Sequence, residues 1–311
     1  MQDIHITREG TEVGNNGIRL FAVMAALVLG MTVPASATVL NPHVVNRLEF
    51  SYVENIFDAN GVQKGGILLA PGDHLIGIIS VSRIIARGET LFTSSPTSQL
   101  TGIYAHKVLS STPNGPSSPA SAPLRTEYGN PDPGLFTNGT STINLAAVLE
   151  PGAILALWLD QGSSATSFTT GGTLAEGVAR ATDGLPFLSA GIGGSGYFHS
   201  HTNPNITMEE ILGGALIGHA LAGLEVLTNG TGHSLTPIPN PGDPDRSIAT
   251  QLALSCDLTV NPVGIFSPQN SPWTLAGTGT AQIYPTPEPS TLALFGAAGT
   301  VMALWRLRKR P

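Results

Sequence analysis

Apolar and polar residues alternate over short stretches through the middle of this chain, and turn formers bound most of those stretches. That period of two predicts strands. Gly66–Ala70 leads through Pro71-Gly72-Asp73 into His74–Ile85, "HLIGIISVSRII". Apolar residues fall on both faces of this second run, as in a central strand covered on both sides. Gln99–Leu109 follows, then a long Ser/Pro-rich loop. Ile143–Leu149 and Ala153–Asp160 flank Glu150-Pro151-Gly152, a second strand–turn–strand signal. Later strands are predicted over His219–Thr228, Ser247–Val260 and Trp273–Ile283. Asn-Gly pairs at 60–61, 114–115, 138–139 and 229–230, with Asp-Gly at 183–184, suit tight hairpins. One helix is predicted, "TMEEILGGALIGHA", in which Thr207 and Glu210 have the spacing of a capping box. Gly213 and Gly214 weaken it by about 1 kcal/mol each relative to alanine, so it is short. The fold class expected is mainly β, an antiparallel β-sandwich or jelly-roll-like domain with one short helix.

The two ends break the pattern. Leu20–Val33 is an uncharged run that follows Arg19 and precedes Ala35-Ser36-Ala37. A basic residue, a short apolar run and an Ala-x-Ala site make a signal peptide, with cleavage between Ala37 and Thr38. An uncleaved anchor is the competing reading, and under both the middle of the chain is exported. At the other end, Leu292–Trp305 carries no charge, and Arg306, Arg308, Lys309 and Arg310 follow at once. As a helix it is roughly 21 Å long, a marginal span of a hydrocarbon core of about 30 Å. Its basic end stays cytoplasmic.

Pro287-Glu288-Pro289, Ser290-Thr291, the apolar run and "RLRKR" stand in that order at the C-terminus. The tail resembles the PEP-CTERM sorting signal of Gram-negative bacteria. The resemblance covers only these last residues and the signal peptide. It implies a substrate of exosortase, a membrane-embedded cysteine transpeptidase, often in bacteria that make exopolysaccharide. It also implies an intermediate tethered to the inner membrane through Leu292–Trp305, then release or attachment at the cell surface. Residues 285–291 are expected to be an exposed linker, since two prolines leave helix and central strands. The organisation expected is a signal peptide over 1–37, an exported β-rich domain over 38–284 and a sorting signal over 285–311.

Composition narrows the partners. Residues 38–287 hold eight Lys or Arg against seventeen Asp or Glu, so the exported part is acidic. Such a surface repels phosphate backbones, which argues against nucleic acid as a partner. Cys256 is the only cysteine, so no internal disulfide forms; within "LALSCDLTV" it reads as a small buried hydrophobe.

The chemistry that can be read is sparse. His199 and His201 in "YFHSHTN" share a face if extended, with Glu209, Glu210 and His219 near in sequence as further ligands. "FDANGVQ" and "PGDPDRS" space oxygen-bearing side chains as calcium loops do, without the remainder of an EF-hand. Ser195 in "GGSGYFHSH" lacks the second glycine of a nucleophile elbow. "GTGTA" at 277–281 lacks the lysine and helix of a phosphate loop. No catalytic, cofactor-binding or metal-binding residue is assigned, and no cofactor is expected. The function expected is a non-enzymatic structural or adhesive component associated with exopolysaccharide. A carbohydrate-binding module is the alternative, for which Tyr104, Trp158, Tyr197 and Phe198 are the aromatics to place. A metal-dependent hydrolase stands last.

Overall fold

The computed structural model describes residues 39–65, 68–113, 124–161, 172–202, 216–239, 249–259 and 272–286. The predicted sandwich is instead one sheet closed on itself. Strand β1 (Asn46–Phe57) pairs along its length with β2 (His74–Ala86). One end of β2 carries the edge strand β3 (Glu89–Thr93), and the remainder pairs with β4 (Ser98–Pro113). Two long strands are shared between neighbours. In β4, residues 98–104 pair with β8 (Ala153–Gln161) and residues 107–113 with β5 (Leu124–Gly129). In β11 (Leu216–Asn229), residues 225–229 pair with β9 (Leu185–Gly191) and residues 218–223 with β10 (Tyr197–Thr202). Then β15 (Leu252–Thr259) and β16 (Leu275–Ile283) return the sheet to β1. The ring β1-β2-β4-β8-β9-β11-β15-β16 is an antiparallel barrel of eight strands, and β5-β10 replaces β8-β9 at one end of the wall. Closure removes the sheet edges that a sandwich would leave exposed.

Short pairs complete the described chain: β6 (Leu135–Thr137) with β7 (Thr142–Asn144), β12 (Ser234–Leu235) with β17 (Pro285–Thr286), and β13 (Ile238–Pro239) with β14 (Ala249–Thr250). Leu145–Ala147, predicted as strand, turns as a single 3-10 helix instead. Leu68–Ala70 is not a strand either. The Pro71-Gly72 and Pro151-Gly152 turns hold as read, with φ of +93° and +86° at the glycines.

Each wall strand sends alternate side chains inward and outward, which explains the doubly apolar β2. Leu75, Ile79 and Val81 face the interior, while Ile76 and Ile78 lie in an outer cluster with Ile103, Phe136, Ile143, Leu174, Val178 and Trp273. That outer cluster is covered by helix α1 (Leu174–Ala181). Thr173 and Glu176 cap it reciprocally, a signal absent from the sequence reading. The helix predicted from Thr207 is corrected over 216–220, which is strand; its first nine residues lie outside the described ones. Strand wins there because 218–223 find partners on both sides.

One half of the barrel interior is solid. Leu48, Val81, Ile84, Leu100, Leu157, Leu252 and Ile283 pack together there with Val39, Leu40 and Leu235. Both ends of the described chain meet at this filled end. The His43 amide donates to the Pro285 carbonyl at 2.8 Å, and the Tyr284 hydroxyl to the His43 carbonyl at 3.1 Å.

Candidate functional site

Three inward aromatics set the interior of the other half. Phe50 and Tyr52 of β1 lie opposite Gly279 and Gly277 of β16, and Tyr104 of β4 lies opposite Gly77 of β2. A Cβ on Gly277 would sit 2.4 Å from the Tyr52 hydroxyl, and one on Gly77 2.4 Å from that of Tyr104. Each ring therefore lies flat over a glycine and leaves the middle of the lumen open. The space left is a cavity of about 420 Å³. Its lining runs from Phe50 and Leu254 to a rim that includes Leu68, Ser111, Leu124 and Thr202. Leu68 is 77% exposed, so the cavity reaches solvent at the end away from Val39 and Pro285.

The walls are apolar with a few polar groups set into them. Tyr52 meets Tyr104 edge to face at 5.6 Å, and His106 stacks on Tyr104 at 5.9 Å. His106 also meets Tyr128 and Phe198, each at 4.5 Å between ring centroids. Tyr128 and Ser200 hydrogen-bond through their hydroxyls at 2.8 Å. Among them lies Glu54, 4% exposed, whose Oε2 accepts from the Tyr104 hydroxyl at 2.7 Å. Burial raises its carboxyl to about 7, and the Tyr104 bond opposes that only in part. Burial also takes the His106 imidazole down to about 3 and the Cys256 thiol up to about 12. His106 is therefore neutral, and its Nδ1 meets no hydrogen-bond partner. No Lys or Arg is among the described residues that line the cavity.

The residues singled out from sequence are distributed differently. His199 and His201 do share the outer face of β10, 5.3 Å apart, and His201 lies opposite His219 of β11. His219 Nδ1 bonds Asp257 Oδ1 at 2.9 Å. Among the described residues no three His, Cys, Asp or Glu side chains form a group that could hold a metal ion. Glu209, Glu210 and the "PGDPDRS" stretch lie outside the described residues. Asp58 caps its own turn, accepting from the amides of Asn60 and Val62 at 2.9 Å each. The Ser195 hydroxyl donates to Glu225 Oε1 at 2.7 Å. Of the four aromatics placed for sugar binding, none is exposed: Tyr104 and Phe198 line the lumen, Trp158 packs on the outer cluster and Tyr197 is buried. Cys256, read as a small buried hydrophobe, is a lumen residue.

Residues 285–310 match the PEP-CTERM protein-sorting motif. The tail is a PEP-CTERM sorting signal. This signal implies processing by exosortase, export, and a cell-surface or extracellular destination. No curated protein matches the chain. The PEP-CTERM signal begins inside the folded body, which corrects the expected start of the linker. Pro285 is buried, and the Thr286 hydroxyl donates to the Ser234 carbonyl at 3.3 Å. Pro285 tolerates this place because a two-residue edge pairing demands little of its missing amide. Ala37, Thr38, Pro287, Glu288, Pro289 and Leu292–Trp305 lie outside the described residues. No helix among the described residues is long and apolar enough to cross a membrane.

Proposed function

We propose that this exported protein is a non-catalytic surface barrel that takes a small, mostly apolar molecule into its lumen. The observation that carries the reading is the contrast between the two halves of the interior. One half is closed by leucines and isoleucines, and the other keeps about 420 Å³ open behind aromatic rings laid over glycines. Barrels of eight strands have interiors that side chains fill or that hold one small ligand. The lumen chemistry favours binding over turnover. Glu54 is the lumen carboxyl whose value is raised to about 7, and among the described residues no activated nucleophile stands beside it, since the Cys256 thiol is pushed up to about 12.

The sorting tail fits the same picture. Both described chain ends lie at the filled end, so the rim is at the opposite end of the barrel from the residues that lead into the tail. A structural or adhesive role in an exopolysaccharide matrix is the second reading, and it rests on the PEP-CTERM tail. A carbohydrate module lacks support on the described surface, because none of the four aromatics placed for it is exposed.

Filling the lumen tests the first reading. Leu254→Trp places an indole in the cavity, and titration with a neutral solvatochromic dye reads occupancy. Wild type is expected to bind and brighten the dye, and the variant to lose binding at least about tenfold with its melting transition retained. Equal dye binding by both proteins would remove the lumen as the site. The sorting half is tested at Glu288. Glu288→Ala is expected to leave the melting temperature unchanged and to make full-length, membrane-bound protein accumulate in an exosortase-bearing host. Equal release of both proteins from the membrane fraction would reduce the triplet to a spacer.

A further inference from the structure

We propose that the lumen selects a protonated amine, an apolar molecule carrying one cationic head that Glu54 receives between the rings of Tyr52 and Tyr104. The inference rests on the lumen-binding reading above and adds the chemical class of the ligand. Glu54 is 4% exposed, and a buried carboxylate is ordinarily paired with a cation. Its hydrogen bond comes from the neutral Tyr104 hydroxyl, and no Lys or Arg is among the described lining residues to neutralise it. The protein thus buries an anion site and leaves its countercharge to be supplied. An ammonium supplies the charge and donates to the carboxylate, a pairing about twice as strong as a neutral one. The aromatic faces favour the same group, since ring quadrupoles attract cations. An anionic ligand meets the opposite situation: a carboxylate of like charge and no Lys or Arg among the described lining residues.

The titration of the site follows from the groups that face Glu54. Tyr52, Tyr104, Tyr128 and Cys256 are all raised by burial, the thiol to about 12 and the tyrosines above their ordinary range. His106 is neutral down to about 3. Of these groups Glu54 is the one expected to change charge between pH 5 and 9, and an aliphatic amine stays protonated throughout that window. His219 also borders the cavity, paired with Asp257 across from His201, and is common to wild type and Glu54→Gln. Amine affinity rises with pH as Glu54 ionises.

The test is calorimetric titration of the protein as recovered from the exporting cell, with phenylbutylamine, phenylbutanol and phenylbutanoate as matched probes. At pH 8 the amine is expected to bind about tenfold or more tighter than the alcohol, and the carboxylate to bind weakest. The amine's advantage is expected to shrink several-fold at pH 5, while the alcohol's affinity holds. Glu54→Gln keeps an acceptor for Tyr104 and is expected to reduce amine binding to the level of the alcohol. Alcohol binding as tight as the amine's, or an amine affinity indifferent to Glu54→Gln, would overturn the proposal while leaving a lumen site standing. Failure of all three probes would instead sink the lumen-binding reading itself. The wild-type comparison of the three probes needs no variant to fold.

Discussion

Gly277→Val is expected to cost at least about 3 kcal/mol, or to prevent recovery of folded protein. The reason is where the added carbons go. A Cβ at this position would lie 2.4 Å from the Asp257 carbonyl oxygen on β15 and 2.4 Å from the Tyr52 Cζ and hydroxyl on β1. A backbone carbonyl and a ring bonded to it occupy the space the side chain needs. The Asp257 carbonyl belongs to the ladder between β15 and β16 and cannot retreat without opening it. The Tyr52 ring is held by its hydroxyl, which donates to that same carbonyl at 3.2 Å, and by its edge-to-face contact with Tyr104. In a body of about this size each kcal/mol lowers the melting temperature by roughly 2–4 °C, so a fall of about 6–12 °C is expected. Gly194→Ala is the control, since a Cβ there meets nothing within 4 Å. It is expected to change stability by less than about 0.5 kcal/mol. Adding Tyr52→Leu to Gly277→Ala is expected to recover part of the alanine variant's loss, because the two positions share one volume. Strict additivity of the two changes would show that the ring does not depend on the glycine.

The same glycines mark how far the sequence could be read. Short apolar or alternating runs between turn formers exposed β2, β4, β8, β11, β15 and β16 directly, β2 as a run apolar on both faces. Closure was not printed in that way. It depends on β4 meeting β2 on one side while serving β8 and β5 on the other, a pairing between residues distant in sequence. The part of β4 that shows this is hidden in the sequence, because Ser110–Pro113, which pair with β5, read as the start of the Ser/Pro-rich loop after Gln99–Leu109. "GTGTA" falls within the predicted strand Trp273–Ile283, and its glycines at every second position mark close approach within that strand. Gly277 and Gly279 are the two that admit Tyr52 and Phe50. Helix α1 is easily overlooked because Thr173 and Glu176 carry the same capping-box spacing as Thr207 and Glu210 in a segment of only eight residues, whose apolar face is Leu174, Val178 and Ala181.

Glu54 escaped for a different reason. In "NRLEFSYVENIF" Phe50, Tyr52, Glu54 and Ile56 share one face, and a carboxylate on an otherwise apolar strand face is a legible anomaly. It passes as a register slip until the strand is known to face a lumen.

That carboxyl should also set the pH dependence of stability. Glu54 is raised from an ordinary 4.5 to about 7 in the folded protein, with burial the larger cause and the Tyr104 hydrogen bond opposing it. The sign follows from proton counting. Between those two values the folded state holds a proton that the unfolded chain has released, so stability declines as pH climbs through that window and levels off above about 7. The whole decline attributable to this group is roughly 3 kcal/mol. Glu54→Gln removes the titration and still offers Tyr104 an oxygen. The variant and wild type are therefore expected to melt within about 2 °C of each other at pH 4.5, and the variant about 6–10 °C higher at pH 8. Every other titrating group is common to both proteins and cancels in the difference, including Asp183, whose carboxyl is raised, and Glu49, Asp132 and Glu225, whose carboxyls are lowered. Melting curves at half-unit steps of pH read the difference directly. Two profiles that run parallel from pH 4.5 to 8 would mean that Glu54 keeps its ordinary ionisation, and with it that the cavity floor is wet rather than apolar.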